Sequence, residues 1–539
     1  MNQAFEHRLV AKAPSERKAA LDSLKTLARN AGIVLAGLAL SKLITYLYKL
    51  VIARSGADFF GKFSLGYAVF DIAAMLAGLG LAVGLYRFVP EYAGNGRRLN
   101  SLVEFAFKAG AFSGVAASIA LFFSADLITQ LFFQGDSQVA LVIRILAFAI
   151  PFFVLQNILV AVMQGLKRMD LVAFSKNVLE NAFKLGAAAF ALFGGALLLG
   201  WSALAGLSAG FVAALFLAFV VSFFLVRTLL PPWKQSVRVP TGVGRELLYY
   251  SLPLLLSLAL NSVVTWADTL FLGFFRTPAE TGVFNAALTT SLFLLIAPGV
   301  VASLNLQLLV EMQERGRREA AQKVFGSVSK WIFFLNFPLF LYLTVFSWQV
   351  MNVLYGGEYT SGGSALVVLG LGYLLYSVAQ PAFDAIAALK RSDLVLQNSI
   401  ASALASVGLN YLLVPSLGVL GAAISTGAAI SLFALLSALQ ANRMGGYPLL
   451  SRDYLKAIAA GVIAIAGTYF FAKIVFGPMA LWLLVLVSGA YGIAYLSVLF
   501  LLKAFDDADI ELLKAAEKKV GFKFLAPVRE FAKYYYKKN

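Results

Sequence analysis

The sequence predicts an all-α integral membrane protein of about fourteen transmembrane helices, in which two repeats of six helices precede two further helices. Three observations support this. Hydrophobic residues make up 60% of the 539 residues and charged residues only 13%, whereas soluble domains contain about 45–50% and 25%. The hydrophobic residues form runs of roughly 20, the length that spans a bilayer as a helix. Finally, two basic segments occur twice in the chain.

The repeated segments connect apolar runs and have nearly equal separations. Residues 91–98 (EYAGNGRR) return 220 residues later as EMQERGRR at 311–318. Residues 166–172 (LKRMDLV) return 223 residues later as LKRSDLV at 389–395. Because six is an even number of crossings, the two copies have the same orientation, and their symmetry axis runs along the membrane normal.

The apolar runs define the helices and the domains. The predicted spans are 31–53, 63–88, 103–124, 138–163, 172–199, 201–230, 247–274, 280–309, 322–350, 362–388, 393–415, 417–441, 455–476 and 479–503. The predicted domains are a basic N-terminal tail (1–30), a first six-helix lobe (31–230), a linker (231–246), a second six-helix lobe (247–441), transmembrane helices 13–14 (442–503) and an amphipathic basic tail (504–539). Small-xxx-small spacing at Gly80/Gly84, Gly110/Gly114 and Gly206/Gly210 predicts close helix packing.

The charge pattern predicts the orientation in the membrane. The net charge is +17, and most lysines and arginines lie in the two tails and in every second connector. By the positive-inside rule, both termini are expected in the cytoplasm, in a protein of the cytoplasmic (cell) membrane. Charge distributed in this way does not predict a nucleic-acid partner. The basic C-terminal tail is expected to lie on the anionic inner leaflet.

Catalytic and metal-binding patterns are not found. The chain contains no cysteine and one histidine, His7 in the N-terminal tail, so we expect neither a metal site nor a cofactor. Gly56–Lys62 matches most of a Walker A pattern but is followed by Phe63 instead of Ser or Thr. We therefore predict that the protein is not an enzyme, and that ion gradients, membrane potential or substrate flux supply its energy.

Charged residues within the spans predict a functional site, because each is costly in hydrocarbon unless it faces a partner or a water-filled cavity. In span 1, Lys42, Tyr46 and Lys49 share one helix face. In span 5, Lys176, Glu180 and Lys184 are spaced i, i+4 and i+8, which fits either a self-neutralising ladder or a cationic site. Since lysine and arginine neutralise phosphate groups, a cationic cavity predicts an anionic cargo. The candidate binding residues are Lys42, Tyr46, Lys49, Arg144, Lys176 and Lys184.

Acids within the spans are the candidates for coupling to H⁺ or Na⁺. They are Asp71, Glu180, Asp268 and Asp384. Two purely structural alternatives are open: Asp71 could neutralise a lysine such as Lys49, and Asp384 could pair with Lys390 or Arg391. Polar amides of the second half suit sugar hydroxyls; they are Asn261, Asn285, Asn305, Asn336, Asn398 and Asn410.

Several segments resemble the polysaccharide-type flippases of the multidrug/oligosaccharidyl-lipid/polysaccharide (MOP) exporter superfamily. They are ARSGADFFGKF at 53–63, GLG at 78–80, RFVPEY at 87–92, AD at 267–268 and GVFNAA at 282–287. The resemblance implies two lobes forming a V around a central cavity that opens alternately inward and outward. It also implies that a polyprenyl-diphosphate-linked oligosaccharide is flipped to the outer face, with its lipid tail in a groove by spans 13–14. The segment 510–521 is similar to archaeal members, which implies a dolichyl carrier.

This resemblance implies lipid-linked oligosaccharide and membrane lipids as partners, and we expect a monomer. Two other functions are open. A multidrug or organic-cation antiporter of the same superfamily would favour an acidic cavity and usually twelve spans. A non-transporting scaffold of glycan assembly would leave the charges at mid-membrane without a purpose.

Overall fold

A computed structural model describes residues 40–192, 202–230, 242–448, 452–476, 481–502 and 504. Every regular element within these ranges is a helix, which confirms the predicted all-α class. The predicted N-terminal tail (1–30), the predicted C-terminal tail (504–539) apart from residue 504, and most of the linker 231–246 lie outside the described residues. The described residues fall into two compact units, one drawn from Met1–Ser55 and Lys62–Trp266 and the other from Gly56–Gly61 and Ala267–Asn539.

The helices follow the predicted spans closely. The helices of the first half of the chain are α1 (40–53), α2 (Ala57–Ala77), α3 (Leu81–Tyr92), α4 (Gly96–Phe132), α5 (Ser137–Ala147), α6 (Ile150–Gly165), α7 (Met169–Val172), a π-helix (Ala173–Leu179), α8 (Glu180–Phe190), α9 (Ala203–Leu229) and α10 (Val243–Phe275). Those that follow are α11 (Pro278–Ser291), α12 (Ile296–Glu314), α13 (Arg318–Val345), α14 (Ser347–Tyr355), α15 (Gly363–Val378), α16 (Gln380–Ala388), α17 (Ser392–Leu417), α18 (Val419–Gly445), α19 (Arg452–Phe476) and α20 (Leu481–Leu501). Two short 3₁₀ segments lie at Leu292–Leu295 and Gly357–Gly362.

Within the described ranges, 10 helices are long and apolar enough to cross a membrane, or 11 when the pair α5 and α6, bent by 45°, counts as one span. They coincide with predicted spans 2–4, 6 and 8–14. The other three predicted spans contain α1, the α7–π–α8 segment and α10. The total of fourteen stays a prediction.

Predicted span 2 is not one continuous helix. Leu79 and Gly80 have φ values of 49° and 67°, so α2 ends at Ala77 and α3 starts at Leu81. The sequence analysis missed this break because the segment is apolar throughout. A side chain at Gly80 or Gly84 would overlap Ser251 of α10, so the glycine spacing allows α3 and α10 to pack closely.

The first turn of α2 belongs to the second unit. The backbone N–H of Ala57 donates to Glu358 Oε2 at 2.8 Å, which satisfies one of the unpaired donors at the helix start. A Cβ atom at Gly61 would overlap the carbonyl oxygen of Pro278, and one at Gly282 would overlap that of Ala57. Glycine at both positions therefore lets the backbones of α2 and α11 touch.

The repeated segment LKRxDLV forms the same corner in both copies. Lys167 and Lys390 have φ values of 60° and 59°, a left-handed conformation that few residues other than glycine adopt. The N–H of the following arginine donates to the carbonyl oxygen five residues earlier, at 2.9 Å in the first copy and 3.1 Å in the second, as in a Schellman motif. Its side chain then binds the aspartate two residues on, Arg168 to Asp170 and Arg391 to Asp393, through pairs of 2.8–3.0 Å hydrogen bonds. This contact lowers the pKa of Asp170.

We predict that Gly61→Ala destabilises the protein, because the added methyl overlaps the Pro278 carbonyl; overpacking of this kind costs about 1–3 kcal/mol. Gly467→Ala is the matched control, since a Cβ atom there meets nothing within 4 Å, and alanine is favoured over glycine inside a helix by about 0.5–1 kcal/mol. Thermal unfolding of the detergent-solubilised variants, followed by tryptophan fluorescence, measures both. Equal melting temperatures for the two variants would contradict the close contact.

Candidate functional site

The first unit contains a buried carboxylate shared by two lysines. Lys184 Nζ lies 2.8 Å from Glu180 Oε1, and Lys176 Nζ lies 3.1 Å from Glu180 Oε2. The Glu180 side chain is 4% exposed, that of Lys184 11% and that of Lys176 27%. One negative charge compensates two positive charges, so the ladder forms and still has a net charge of +1. We call these three residues the lysine cluster.

The backbone around the lysine cluster is irregular. Residues Ala173–Leu179 form a π-helix between α7 and α8, whereas the sequence analysis placed the three charges on a regular α-helix. One-turn π segments are rare in proteins overall, and those that occur are often found at functional sites. Periodicity could not reveal this one, because Lys176 and Glu180 still meet across i, i+4.

Aromatic and amide groups surround the two lysines. Lys176 Nζ lies 5.2 Å from the centre of the Phe153 ring and donates to Asn157 Oδ1 at 3.2 Å. Lys184 Nζ lies 4.9 Å from the centre of the Phe211 ring. These contacts stabilise the ammonium groups without neutralising them. Nothing in the sequence paired these residues, because the contacts join helices that are distant along the chain.

Asp71 is held by a tryptophan. Trp266 Nε1 donates to Asp71 Oδ2 at 2.9 Å, and the Trp266 ring packs edge-on against Tyr67 at 5.4 Å between centroids. Both Lys184 and Lys176 lie within electrostatic range of Asp71. Asp71 is therefore next to the lysine cluster, and the partner that the structure gives it is Trp266, which the sequence analysis missed.

Helix α1 is joined to α8 beside the lysine cluster. Asn181 Nδ2 donates to Ser41 Oγ at 3.1 Å, which places the residue after Glu180 against the residue before Lys42. Lys42 and Lys49 are near enough for their charges to repel. Lys42 is exposed, whereas Lys49 and Tyr46 are half-buried. Four of the predicted lysines thus belong to neighbouring parts of one unit.

Arg144 has a different environment. It forms an ion pair with Asp126 of α4, and the two side chains are 37% and 57% exposed. Within the described ranges, no hydrogen bond or ion pair connects Arg144 to the lysine cluster. The sequence analysis grouped Arg144 with the cationic cavity from charge alone, without a carboxylate to pair it with.

The two predicted coupling acids of the second unit, Asp268 and Asp384, accept hydrogen bonds from neutral groups. Asp268 accepts hydrogen bonds from Asn410 Nδ2 at 2.6 Å and from Thr426 Oγ1 at 2.5 Å. Asp384 accepts one from Asn305 Nδ2 at 2.7 Å. Arg391 binds Asp393 instead, so the alternative pairing of Asp384 with Arg391 is not formed.

Asparagines of the second unit connect helices. Asn336 donates to the Leu294 carbonyl oxygen at 2.8 Å and to Ser377 Oγ at 2.9 Å. Asn285 and Asn398 likewise have side-chain partners on other helices. The side chain of Asn261 lies outside the described residues. The five described amides among those that the sequence analysis assigned to sugar hydroxyls are therefore engaged within the protein in this conformation.

The chain is similar to a known protein family and to several known proteins. A family model described as polysaccharide biosynthesis protein matches residues 27–308. The chain is 22% identical to stage V sporulation protein B of Bacillus subtilis over 465 residues, covering 82% of this chain and 88% of the relative. It is 23% identical to a putative O-antigen transporter of Shigella flexneri over 381 residues, covering 69% and 88%.

A third relative matches over a shorter length. It is a probable low-salt glycan biosynthesis flippase of Haloferax volcanii, 24% identical over 211 residues, which cover 39% of this chain and 44% of that protein. The chain thus aligns with less than half of this relative.

Solved structures show the fold. The lipid II flippase MurJ in its inward closed conformation superposes with a TM-score of 0.69 at 15% identity, covering 86% of this chain and 97% of that chain. An inward-facing multidrug resistance MATE transporter of the MOP superfamily superposes with a TM-score of 0.62 at 16% identity, covering 77% and 98%. The overall fold is therefore that of MOP transporters.

We predict that Glu180→Gln destabilises the protein by about 3 kcal/mol, because it leaves two buried lysines without a carboxylate. Lys176→Gln should cost less, since Glu180 keeps Lys184. The matched control is Glu104→Gln, which breaks an exposed i, i+4 pair with Lys108 and should cost about 0–1 kcal/mol. Melting temperatures of the purified variants test this order, and it is wrong if Glu180→Gln unfolds like the control.

Proposed function

The chain belongs to the polysaccharide biosynthesis protein family, whose model matches more than half of its residues, and we propose that it is a flippase for a polyprenyl-diphosphate-linked oligosaccharide. It moves this cargo from the inner to the outer face of the cell membrane by alternating access. The observation that carries the proposal is the lysine cluster together with Lys42 and Lys49, which sets four lysines against the two carboxylates Glu180 and Asp71 inside a membrane protein. Two relatives, the probable low-salt glycan biosynthesis flippase and the putative O-antigen transporter, support it by their names.

The chemistry of the cargo fits a cationic site. The diphosphate is the part of a lipid-linked oligosaccharide that hydrocarbon rejects most strongly, because isolated charge is costly at low dielectric. Lysines fixed in a low-dielectric interior compensate that charge more effectively than they would in water. The polyprenyl tail needs no such compensation and stays in lipid throughout.

Lys42 is the lysine best placed to bind the diphosphate. Within the described part of the chain it has no carboxylate partner, whereas Lys176 and Lys184 share Glu180. It lies next to Ser41, which contacts α8, and its side chain is exposed. Lys49 lies near enough to interact electrostatically with it, and α8, which carries Lys184, is joined to the residue before it.

The architecture proposed for this task has fourteen spans, with two six-helix lobes around a central cavity and a groove for the lipid tail by spans 13–14. Both termini face the cytoplasm, and one chain is sufficient. A multidrug or organic-cation antiporter is the second candidate, because MATE transporters share the fold. Buried lysines with a net positive charge disfavour a cationic cargo.

We predict that Lys42→Ala slows flipping at least about tenfold, a loss of about 1.4 kcal/mol of transition-state stabilisation. Lys42→Arg should retain part of the activity, because it keeps the charge. Proteoliposomes containing a lipid-linked oligosaccharide with a fluorescent sugar give the rate, from the fraction that a membrane-impermeant quencher reaches.

The control for Lys42 is Lys108→Ala, which removes a lysine that is 73% exposed and paired with Glu104. Its flipping rate should equal that of the wild type. Equal rates for Lys42→Ala and the wild type would remove Lys42 from the site. A wild type that flips nothing would exclude this cargo.

We propose Asp268 as the residue that couples flipping to H⁺ or Na⁺. Glu180 and Asp71 lie beside lysines that compensate their charge, whereas the side-chain donors to Asp268 among the described residues are neutral. Those donors come from α17 and α18, so a change in the charge of Asp268 would act on three helices. Asn410 Oδ1 is buried and has no partner among the described residues, which leaves an acceptor beside the carboxylate.

We predict that an imposed H⁺ or Na⁺ gradient accelerates flipping in the wild type, and that Asp268→Asn abolishes this acceleration without abolishing slow downhill flipping. Proteoliposomes loaded to give each gradient separately distinguish the two ions. Asp393→Asn is the control, because its carboxylate is exposed and bound to Arg391. Full acceleration in Asp268→Asn would reject the assignment and favour Asp384.

A further inference from the structure

Arg87, near the end of α3 in the first unit, lies against aromatic rings. Its guanidinium carbon is 4.5 Å from the centre of the Tyr250 ring and 5.3 Å from that of Phe88. The Phe88 ring packs edge-on against Tyr250 at 5.7 Å and stacks on Tyr92 at 6.1 Å. The guanidinium of Arg98 lies 5.9 Å from the Tyr92 ring. Two arginines thus line one row of three rings.

Close helix packing holds this row in place. Gly80 and Gly84 bring α3 onto α10 at Ser251, one residue after Tyr250. The Tyr92 hydroxyl donates to Glu246 Oε2 at 3.3 Å, which ties the other end of the row to α10. Arg87 is therefore presented by two packed helices and is nonetheless exposed.

Neither arginine of the row forms an ion pair with a carboxylate within the described part of the chain. The acids nearest in sequence or contact are Glu91 and Glu246, and Glu246 already accepts from Tyr92. Three arginines of other connectors do have carboxylate partners: Arg168 with Asp170, Arg315 with Glu311, and Arg391 with Asp393. An arginine stacked on a ring keeps its N–H edge available, and that edge matches a phosphate in bidentate geometry.

The internal repeat shows that the positive-inside rule does not explain Arg87. At the offset of 220 residues, the connector arginine Arg98 corresponds to Arg318, as the positive-inside rule requires of both copies. Arg87, in contrast, corresponds to Gln307, and Tyr92 to Met312. The stacked arginine is therefore a feature of the first copy alone, and orientation in the membrane does not account for it.

We propose that Arg87, backed by Tyr250, is a phosphate-binding site separate from the lysine cluster, and that it holds the phosphate or diphosphate ester of a lipid headgroup. It lies in the second half of α3, less than two helical turns before residues 93–98, which the charge pattern assigns to the cytoplasmic side. The site is at headgroup depth in the inner leaflet, where the cargo would enter. Its ligand is either the polyprenyl diphosphate of the cargo, an assignment that rests on the proposed function, or an anionic phospholipid.

The test uses the full chain in phosphatidylcholine nanodiscs and measures equilibrium binding of radiolabelled farnesyl diphosphate. Arg87→Gln, which introduces the residue found at the equivalent position 307 of the second copy, should weaken binding about tenfold. Arg87→Lys should have an intermediate affinity, because it keeps the positive charge but lacks the planar guanidinium that binds phosphate through two N–H groups. Arg315→Gln is the matched control, since Arg315 is a connector arginine already paired with Glu311, and it should leave binding unchanged. Repeating the series in Lys42→Ala separates this site from the lysine cluster.

Adding phosphatidylglycerol to the nanodiscs distinguishes the two ligands. Farnesyl diphosphate binding that depends on Arg87 and resists phosphatidylglycerol identifies a polyprenyl diphosphate site. Competition by phosphatidylglycerol that is lost in Arg87→Gln identifies a phospholipid site. Either result supports phosphate binding at Arg87, whereas an Arg87→Gln protein that melts like the wild type and binds both lipids equally well overturns it.

Two further outcomes keep the test decisive. Should Arg87→Gln fail to fold, Tyr250→Leu replaces it, because it removes the ring and keeps the charge; unchanged binding in folded Tyr250→Leu would also overturn the proposal. A wild type that binds the probe through Arg87 and flips nothing would reject the proposed function and keep the site. A wild type that flips while Arg87→Gln binds normally would reject the site alone.

Discussion

The interaction on which the rest of the first unit depends is the sharing of Glu180 between Lys176 and Lys184. A charge inside a membrane protein is tolerated only when a partner or water compensates it. One carboxylate cannot compensate two ammonium groups fully, so the surroundings must supply the remainder. Asp71 lies within electrostatic range of both lysines, and the rings of Phe153 and Phe211 contribute a further part. The residual positive charge stays in place, at the cost of stability that a balanced pair would not incur.

The second unit meets the same constraint without ion pairs at its central acids. Asp268 and Asp384 accept hydrogen bonds from amides and a hydroxyl, and asparagines link neighbouring helices. Neutral donors satisfy a carboxylate without cancelling its charge, so these acids keep the capacity to respond to a cation. A duplicated chain has thus diverged electrostatically, with excess positive charge in the first unit and uncompensated acids in the second.

Properties that depend on local sequence could be predicted well. Hydropathy located the helices and their all-α class, because a bilayer requires long apolar runs. It missed the break at Leu79–Gly80 and the π-helix at Ala173–Leu179, since neither changes composition. The i, i+4 spacing found the lysine cluster for the same local reason. Partners from distant helices, such as Trp266 for Asp71 and Asp126 for Arg144, could not be predicted from spacing, because tertiary packing alone brings them together.

The two copies of the repeat share a backbone corner but differ at the arginine that we propose to bind phosphate. Both keep the LKRxDLV corner with a left-handed lysine, although a non-glycine residue in that conformation costs about 1–2 kcal/mol. Retaining lysine there at such a cost agrees with the need for positive charge on one side of the membrane, a requirement that glycine would not meet. Arg87 and Tyr92, whose ring stacks on Phe88 in the same row, have no such counterpart, because Gln307 and Met312 occupy the equivalent positions. The two copies of the repeat thus share the corner that the charge pattern predicts on one side of the membrane, whereas the proposed phosphate site has its arginine in the first copy alone.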